Sequence, residues 1–339
     1  MLTGLGRRLG RGLGIRRLYT RFGPTRRRFL GLVVVASAIA VPACAGTGSG
    51  PGSGDGPGAA ISRYDLAETT SSYATTASAQ VEVTLGALAS VVPSDLTSDG
   101  KLPVQFAAAA ESTLMVSGDG DDYRIAAEVI EFSAEIDTAD GKREITAAEV
   151  GVSDYSEEVV SGRGELLSPK GRGGPGLPGV NFVAGFCLPE LPETALEPGA
   201  SWDTQVDFQL GGGSTISLPT TNTYREKTVE GVTLRVFTTT INSPIDAEAG
   251  LGDLAGALGG LSGLSNMGGA GDVMLKITGK ADVTRTCVLS DDGVIRSGSA
   301  NGSVDLTFEN LDGSGTGIGA LFDGLSTGIE FETGFDRTE

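Results

Sequence analysis

The chain has 339 residues, with 25 Lys and Arg against 43 Asp and Glu, three Cys and no His. Nine of the basic residues are Arg within residues 1–43, which hold no acid, so the rest carries 16 basic and 43 acidic residues, a formal charge of −27. Such a polyanion excludes nucleic acid as an electrostatic partner. Without imidazole there is no proton acceptor for a Ser-His-Asp triad and no usual ligand set for zinc or iron, so neither metal nor cofactor is expected.

In chain order, residues 1–43 form the first element. Phe29 to Ala43 is an apolar or small-residue run of about 15, short of the ~20 that a helix needs to cross a ~30 Å hydrocarbon core, which points to a signal peptide and not a permanent span. Thr25-Arg26-Arg27-Arg28-Phe29-Leu30 resembles the twin-arginine export motif. The resemblance places the paired arginines on Arg26 and Arg27 with Phe29 and Leu30 after them, and implies export of an already folded protein. Val41-Pro42-Ala43-Cys44 resembles a lipobox, which implies that Cys44 takes a diacylglycerol thioether and becomes the mature N-terminus. The alternative is an ordinary export signal with an incidental Cys. Two acyl chains, at ~0.8 kcal/mol per buried methylene, would hold the acidic body at a membrane without help from its surface. The expected location is therefore the cell membrane or envelope, lipid-anchored and extracytoplasmic, with the membrane as a partner through the anchor.

Residues 44–60 comprise that Cys and a tether, since the Gly/Ser/Pro tract 47–58 has nothing to pack. Residues 61–339 form the β-rich domain, divisible into halves 61–187 and 188–339. Residues 63–78 are read as a short helix. Period-two alternation rich in Val, Thr, Ile and Phe then predicts strands over Gln80–Leu85, Val104–Val116, Tyr123–Ile136, Glu144–Val150, Val159–Leu167, Trp202–Leu210, Ser214–Lys227, Val232–Ile241, Val273–Val288, Val294–Ser299 and Ser303–Glu309. Asp119-Gly120, Asp140-Gly141, Glu230-Gly231 and Asp292-Gly293 predict hairpin turns, because Gly accepts positive φ without steric cost. The fold class is mainly β: a large antiparallel sheet or half-barrel of long hairpins. Residues 117–137 and 227–246 each set a long hairpin around an acidic Gly turn, which suggests two repeated halves. Residues 188–202 contain three prolines and mark a crossing between them.

Two breaks interrupt the second half, a loop over 169–179 and the Gly/Leu-rich stretch 250–271. In the latter Leu251, Leu254, Leu258, Leu261, Leu264 and Met267 recur every three or four residues and share one helical face. They are candidates for a lid over an apolar ligand, or for a loose helix or loop that covers the end of the sheet. Cys187 and Cys287 remain once Cys44 is lipidated. As a pair outside the cytosol they suggest a disulfide closing a loop of about 100 residues, worth ~4 kcal/mol in the chain-entropy model. A chain folded in a reducing cytosol before export would leave both as thiols.

Catalytic motifs are poor. Gly324-Leu325-Ser326-Thr327-Gly328 matches G-x-S-x-G without a His to serve it, and Ser98 to Lys101 reads as a turn. Asp119, Asp121 and Asp122 lack the spacing of a calcium loop. Beyond the signal, Pro198-Gly199-Ala200-Ser201-Trp202 after a Leu-Pro segment resembles β-rich bacterial envelope lipoproteins that have no settled activity. The resemblance implies a fold more than a function. Three functions follow as expectations: a non-enzymatic binding module for an apolar or lipid ligand, a structural or assembly lipoprotein acting through contacts with an envelope protein, and a His-free hydrolase using paired carboxylates.

Overall fold

The Ser/Thr-rich stretch after residue 68 sets the pattern of the whole molecule. In the computed structural model, which describes residues 60–90, 99–139, 141–147, 152, 154–170, 187–211, 214–250, 273–311 and 322–338, strand β1 runs Thr69–Thr84. Its residues Ser71, Tyr73, Thr75, Ala77, Ala79, Val81 and Val83 are buried, while the residues between them face solvent. The helix expected over 63–78 is therefore replaced by extended chain. Side chains that branch at Cβ, or that compete for backbone hydrogen bonds, disfavour a helix and suit a pleated surface, and this strand is paired along both sides.

The other strands are β2 (Lys101–Asp119), β3 (Asp122–Thr138), β4 (Gly141–Ile145), β5 (Tyr155–Ser161), β6 (Leu166–Lys170), β7 (Ser201–Gly211), β8 (Ser214–Val229), β9 (Val232–Gly250), β10 (Met274–Ser290), β11 (Ile295–Asn310) and β12 (Leu325–Arg337), with a 3-10 turn at Gly86–Ser90. All belong to one antiparallel sheet in the order β6-β5-β3-β2-β1-β12-β11-β10-β9-β8-β7, with β4 pairing to the far part of β3. It is a large open sheet of long hairpins, not closed into a barrel. The chain lays down β1 to β6 and then β7 to β12 in the same direction along the sheet, so the β2/β3 and β8/β9 hairpins hold corresponding places. Their turns carry Gly120 and Gly231 at φ of 69° and 85°. Strand boundaries differ from expectation in several places. The strand expected at Gln80–Leu85 is the end of the longer β1; that expected at Glu144–Val150 is β4, set back to Gly141–Ile145; that expected at Val159–Leu167 is two, turned at Gly162 and Gly164; the two expected at Val294–Ser299 and Ser303–Glu309 are the single β11; and β12 was not foreseen.

The sheet is curled. Tyr64 N bonds Gly162 O beside β5 and, three residues on, Ala67 N bonds Gly293 O between β10 and β11. Three residues of chain span at most ~11 Å, whereas in a flat sheet six inter-strand steps of ~4.8 Å would hold β5 and β10 about 29 Å apart. The inner faces of opposite walls therefore approach each other, and one apolar core runs through Tyr73, Ile125, Ile136, Phe237, Leu275, Ile277, Ile329 and Phe335.

One end of the curl is plugged by two non-strand segments. Residues 60–68 cross it with hydrogen bonds from Tyr64 N to Gly162 O (2.7 Å) and from Ala67 N to Gly293 O (2.9 Å), while the Tyr123 hydroxyl donates to Tyr64 O. Residues 187–200 carry the chain from edge strand β6 to edge strand β7. On the way Leu191 N donates to Arg163 O, the Arg163 guanidinium donates back to Leu191 O (2.6 and 3.0 Å), and Gly199 N donates to Tyr224 O. Leu188, Leu191 and Leu196 of this crossing are buried, and the Trp202 indole N–H donates to Glu190 O. The prolines expected to bar a strand here do so, and the segment packs into the end of the core.

Candidate functional site

The outward face of the sheet holds a concavity of about 780 Å³ that crosses the strands at their middle. Register explains its lining. Asp282, Ser303, Glu330, Gln80, Gln105, Asp137 and Lys142 are successive cross-strand partners from β10 to β4. A second row two residues away runs Thr284, Asn301, Glu332, Ser78, Ala107 and Glu135. Because alternate residues of a strand face the same way, two rows about 6.6 Å apart form a trough that lies across the strands. Its length, over six inter-strand steps, is about 29 Å along the surface.

The trough is polar and acidic. Five carboxylates, Asp282, Glu330, Asp137, Glu332 and Glu135, share it with one cation, Lys142. Lys142 donates to Glu135 at 2.6 Å, and this hydrogen bond raises its pKa above the ordinary value. Lys280 stands 3.5 Å from Asp282. Among the described residues Glu330 and Glu332 have no ion-pair partner. No ring opens onto the trough, since Phe106 and Phe331 are buried toward the core. Along each row at least one uncharged residue separates successive carboxylates, so none faces another directly across a strand pair.

A second polar group lies inside the curl. Glu158 is pushed up to about 7, first by burial, with Arg285 opposing the shift. Tyr64 is raised well above its ordinary value by burial, its hydroxyl donating to Pro189 O. Its ring meets Phe237 edge-on at 5.3 Å, and Phe237 stacks on Tyr224. These groups join the β5 wall, the β10 wall and the plug. Tyr64, Tyr224, Phe237 and Arg285 are buried there.

Of the residues singled out in the sequence, Cys187 and Cys287 are joined by a disulfide that ties the crossing segment to β10. Asp121 accepts an ion pair from Arg63 at 3.1 Å, and Ser326 lies within β12. Lys101 pairs with Glu82 at 2.7 Å. Cys44, Arg26, Arg27, Phe29 and Leu30 lie outside the described residues, as do Leu251, Leu254, Leu258, Leu261, Leu264 and Met267. Among the described residues no group of three or more Cys, Asp or Glu is arranged to hold a metal ion. The trough residues escaped the sequence reading. Their one local signal is polarity at outward positions, which every strand of a half-exposed sheet shares. No protein-family model matches the chain, and no curated protein matches it.

Proposed function

We propose that the chain is a lipid-anchored, extracytoplasmic binding protein that holds its ligand in the transverse trough and performs no chemistry on it. What carries this reading is the trough. Its volume of about 780 Å³ falls in the range of roughly 300–1,000 Å³ typical of ligand sites. Its unpaired carboxylates are kept in register by a sheet whose core lies on the opposite face. The lipobox-like Val41-Pro42-Ala43-Cys44 and the tract 47–58 support a tethered body.

Two features favour binding over hydrolysis. Glu158, the carboxyl that burial does raise, faces Arg285 inside the packed curl. No imidazole exists to assist. The test is native mass spectrometry of the processed protein extracted from its own membranes. An associated mass is expected, and it is lost when Gln80→Arg and Gln105→Arg fill the trough with cations. An associated mass that survives both substitutions, or none at all in repeated preparations, would end the trough reading. In parallel, Cys44→Ser should abolish both the acyl mass and membrane partitioning.

A further inference from the structure

Resting on the trough as the binding surface, we propose that its occupant is an extended lysine- or arginine-rich segment of a partner protein, laid across the strands. Three observations converge on that chemistry. The trough runs about 29 Å, the length of eight or nine extended residues at ~3.3 Å each. Along its first row Asp282 and Glu330 are separated by two inter-strand steps, about 10 Å, near the spacing of every third residue of an extended chain.

Between the charges, Gln80, Gln105 and Asn301 present carboxamides, each able to donate and accept at once. A peptide backbone offers the complementary amide and carbonyl groups, whereas a polyamine has no acceptor to offer. The remaining ligand classes fit worse. Sugars gain much of their affinity from ring stacking, and no ring faces the trough. A divalent ion needs three or more converging ligands, which are missing among the described residues. An apolar chain would find only Ala107 and backbone among acids.

With a body charge of −27, any cation is attracted weakly, so the test must separate the trough from the general field. The processed lipoprotein is placed in phosphatidylcholine nanodiscs and titrated with a fluorescent peptide of alternating Lys and Ser, about nine residues long by the spacing above. Anisotropy should show saturable one-to-one binding that weakens with salt, and the same peptide with Ser for every Lys should not bind. Glu330→Gln with Glu332→Gln should weaken binding roughly tenfold or more. Glu309→Gln with Asp336→Asn, the same charge loss on the same face outside the trough, should change it less than about twofold.

Equal losses from the two pairs, or no saturable binding to the parent protein, would overturn the proposal. The urea midpoint of each variant guards against misfolding, and all four side chains are solvent-exposed. Should the peptide fail while an associated mass is present on the parent protein and lost with Gln80→Arg and Gln105→Arg, the ligand class falls and the trough stands.

Discussion

Gly302 offers a sharp mechanical test of the curl that shapes the trough. It sits on β11 between the trough residues Asn301 and Ser303 and opposite Val283 of β10. A Cβ added there would lie 2.2 Å from the carbonyl oxygen of Asp282 and 2.7 Å from Val283 Cα, against 3.4 Å for ordinary contact. Relief requires β11 to retreat from β10 by about 1 Å, which stretches the neighbouring ladder hydrogen bonds out of range. Overpacking costs about 1–3 kcal/mol and two weakened hydrogen bonds about 1 kcal/mol each, offset by roughly 0.4–1 kcal/mol from a less flexible unfolded chain.

Gly302→Ala should therefore destabilise by about 2–4 kcal/mol. Gly334→Ala is the control, because its added Cβ meets nothing nearer than 3.6 Å. That variant should be neutral or gain up to about 1 kcal/mol. Urea titration followed by the fluorescence of Trp202, the single tryptophan, reads both. A loss of this size moves the midpoint down by about 1 M. Coincident midpoints for the two variants would refute the close approach of β10 and β11.

The disulfide closes a loop with a sequence separation of 100. Cys187→Ala with Cys287→Ala should cost about 4–5 kcal/mol, measured as a lowered denaturation midpoint, and reducing agent should then have no further effect. Glu158 has its pKa raised from 4.5 to about 7, so its contribution to stability is full below pH 4.5 and is lost as pH rises through 7. Stability should fall over that window by roughly 3 kcal/mol, and Glu158→Gln should flatten the profile; an unchanged slope in the variant would assign the pH dependence elsewhere. Tyr64→Phe should leave the Pro189 carbonyl without its donor and cost about 1–3 kcal/mol by chemical denaturation, with the ring contact to Phe237 kept.

The strands were legible wherever burial on one face imposed strict alternation on large residues, as in Val104–Val116 and Val273–Val288. β12 was hidden because Gly324, Gly328 and Gly334 interrupt its pattern, although Ile329, Phe331 and Phe335 point inward at every second position. The first half of β1 was hidden because its inward residues, Tyr73 apart, are Ser, Thr and Ala, which carry little hydrophobic signal. The sequence offered Cys187 and Cys287 as a pair but left bonded and free thiols both open, and the disulfide decides between them.

The trough was not legible. It exists because β1 and β12, the two ends of the domain, pair at the centre of the sheet and set Gln80 beside Glu330, 250 positions apart in sequence. Long-range register leaves no local pattern. The same holds for Gly162 and Gly293, which residues 64–67 bridge because the sheet curls.

Carbodiimide labelling of carboxylates, read by peptide mass spectrometry on the protein as isolated from its own cells and after high-salt stripping, decides whether the trough is where the protein binds. Glu330, Glu332 and Asp282 should be shielded before stripping and modified after it, while Glu309 and Asp336 react alike in both states. Equal reactivity of Glu330 and Glu332 before and after stripping, with protection appearing elsewhere on the sheet, would contradict the trough as the binding surface.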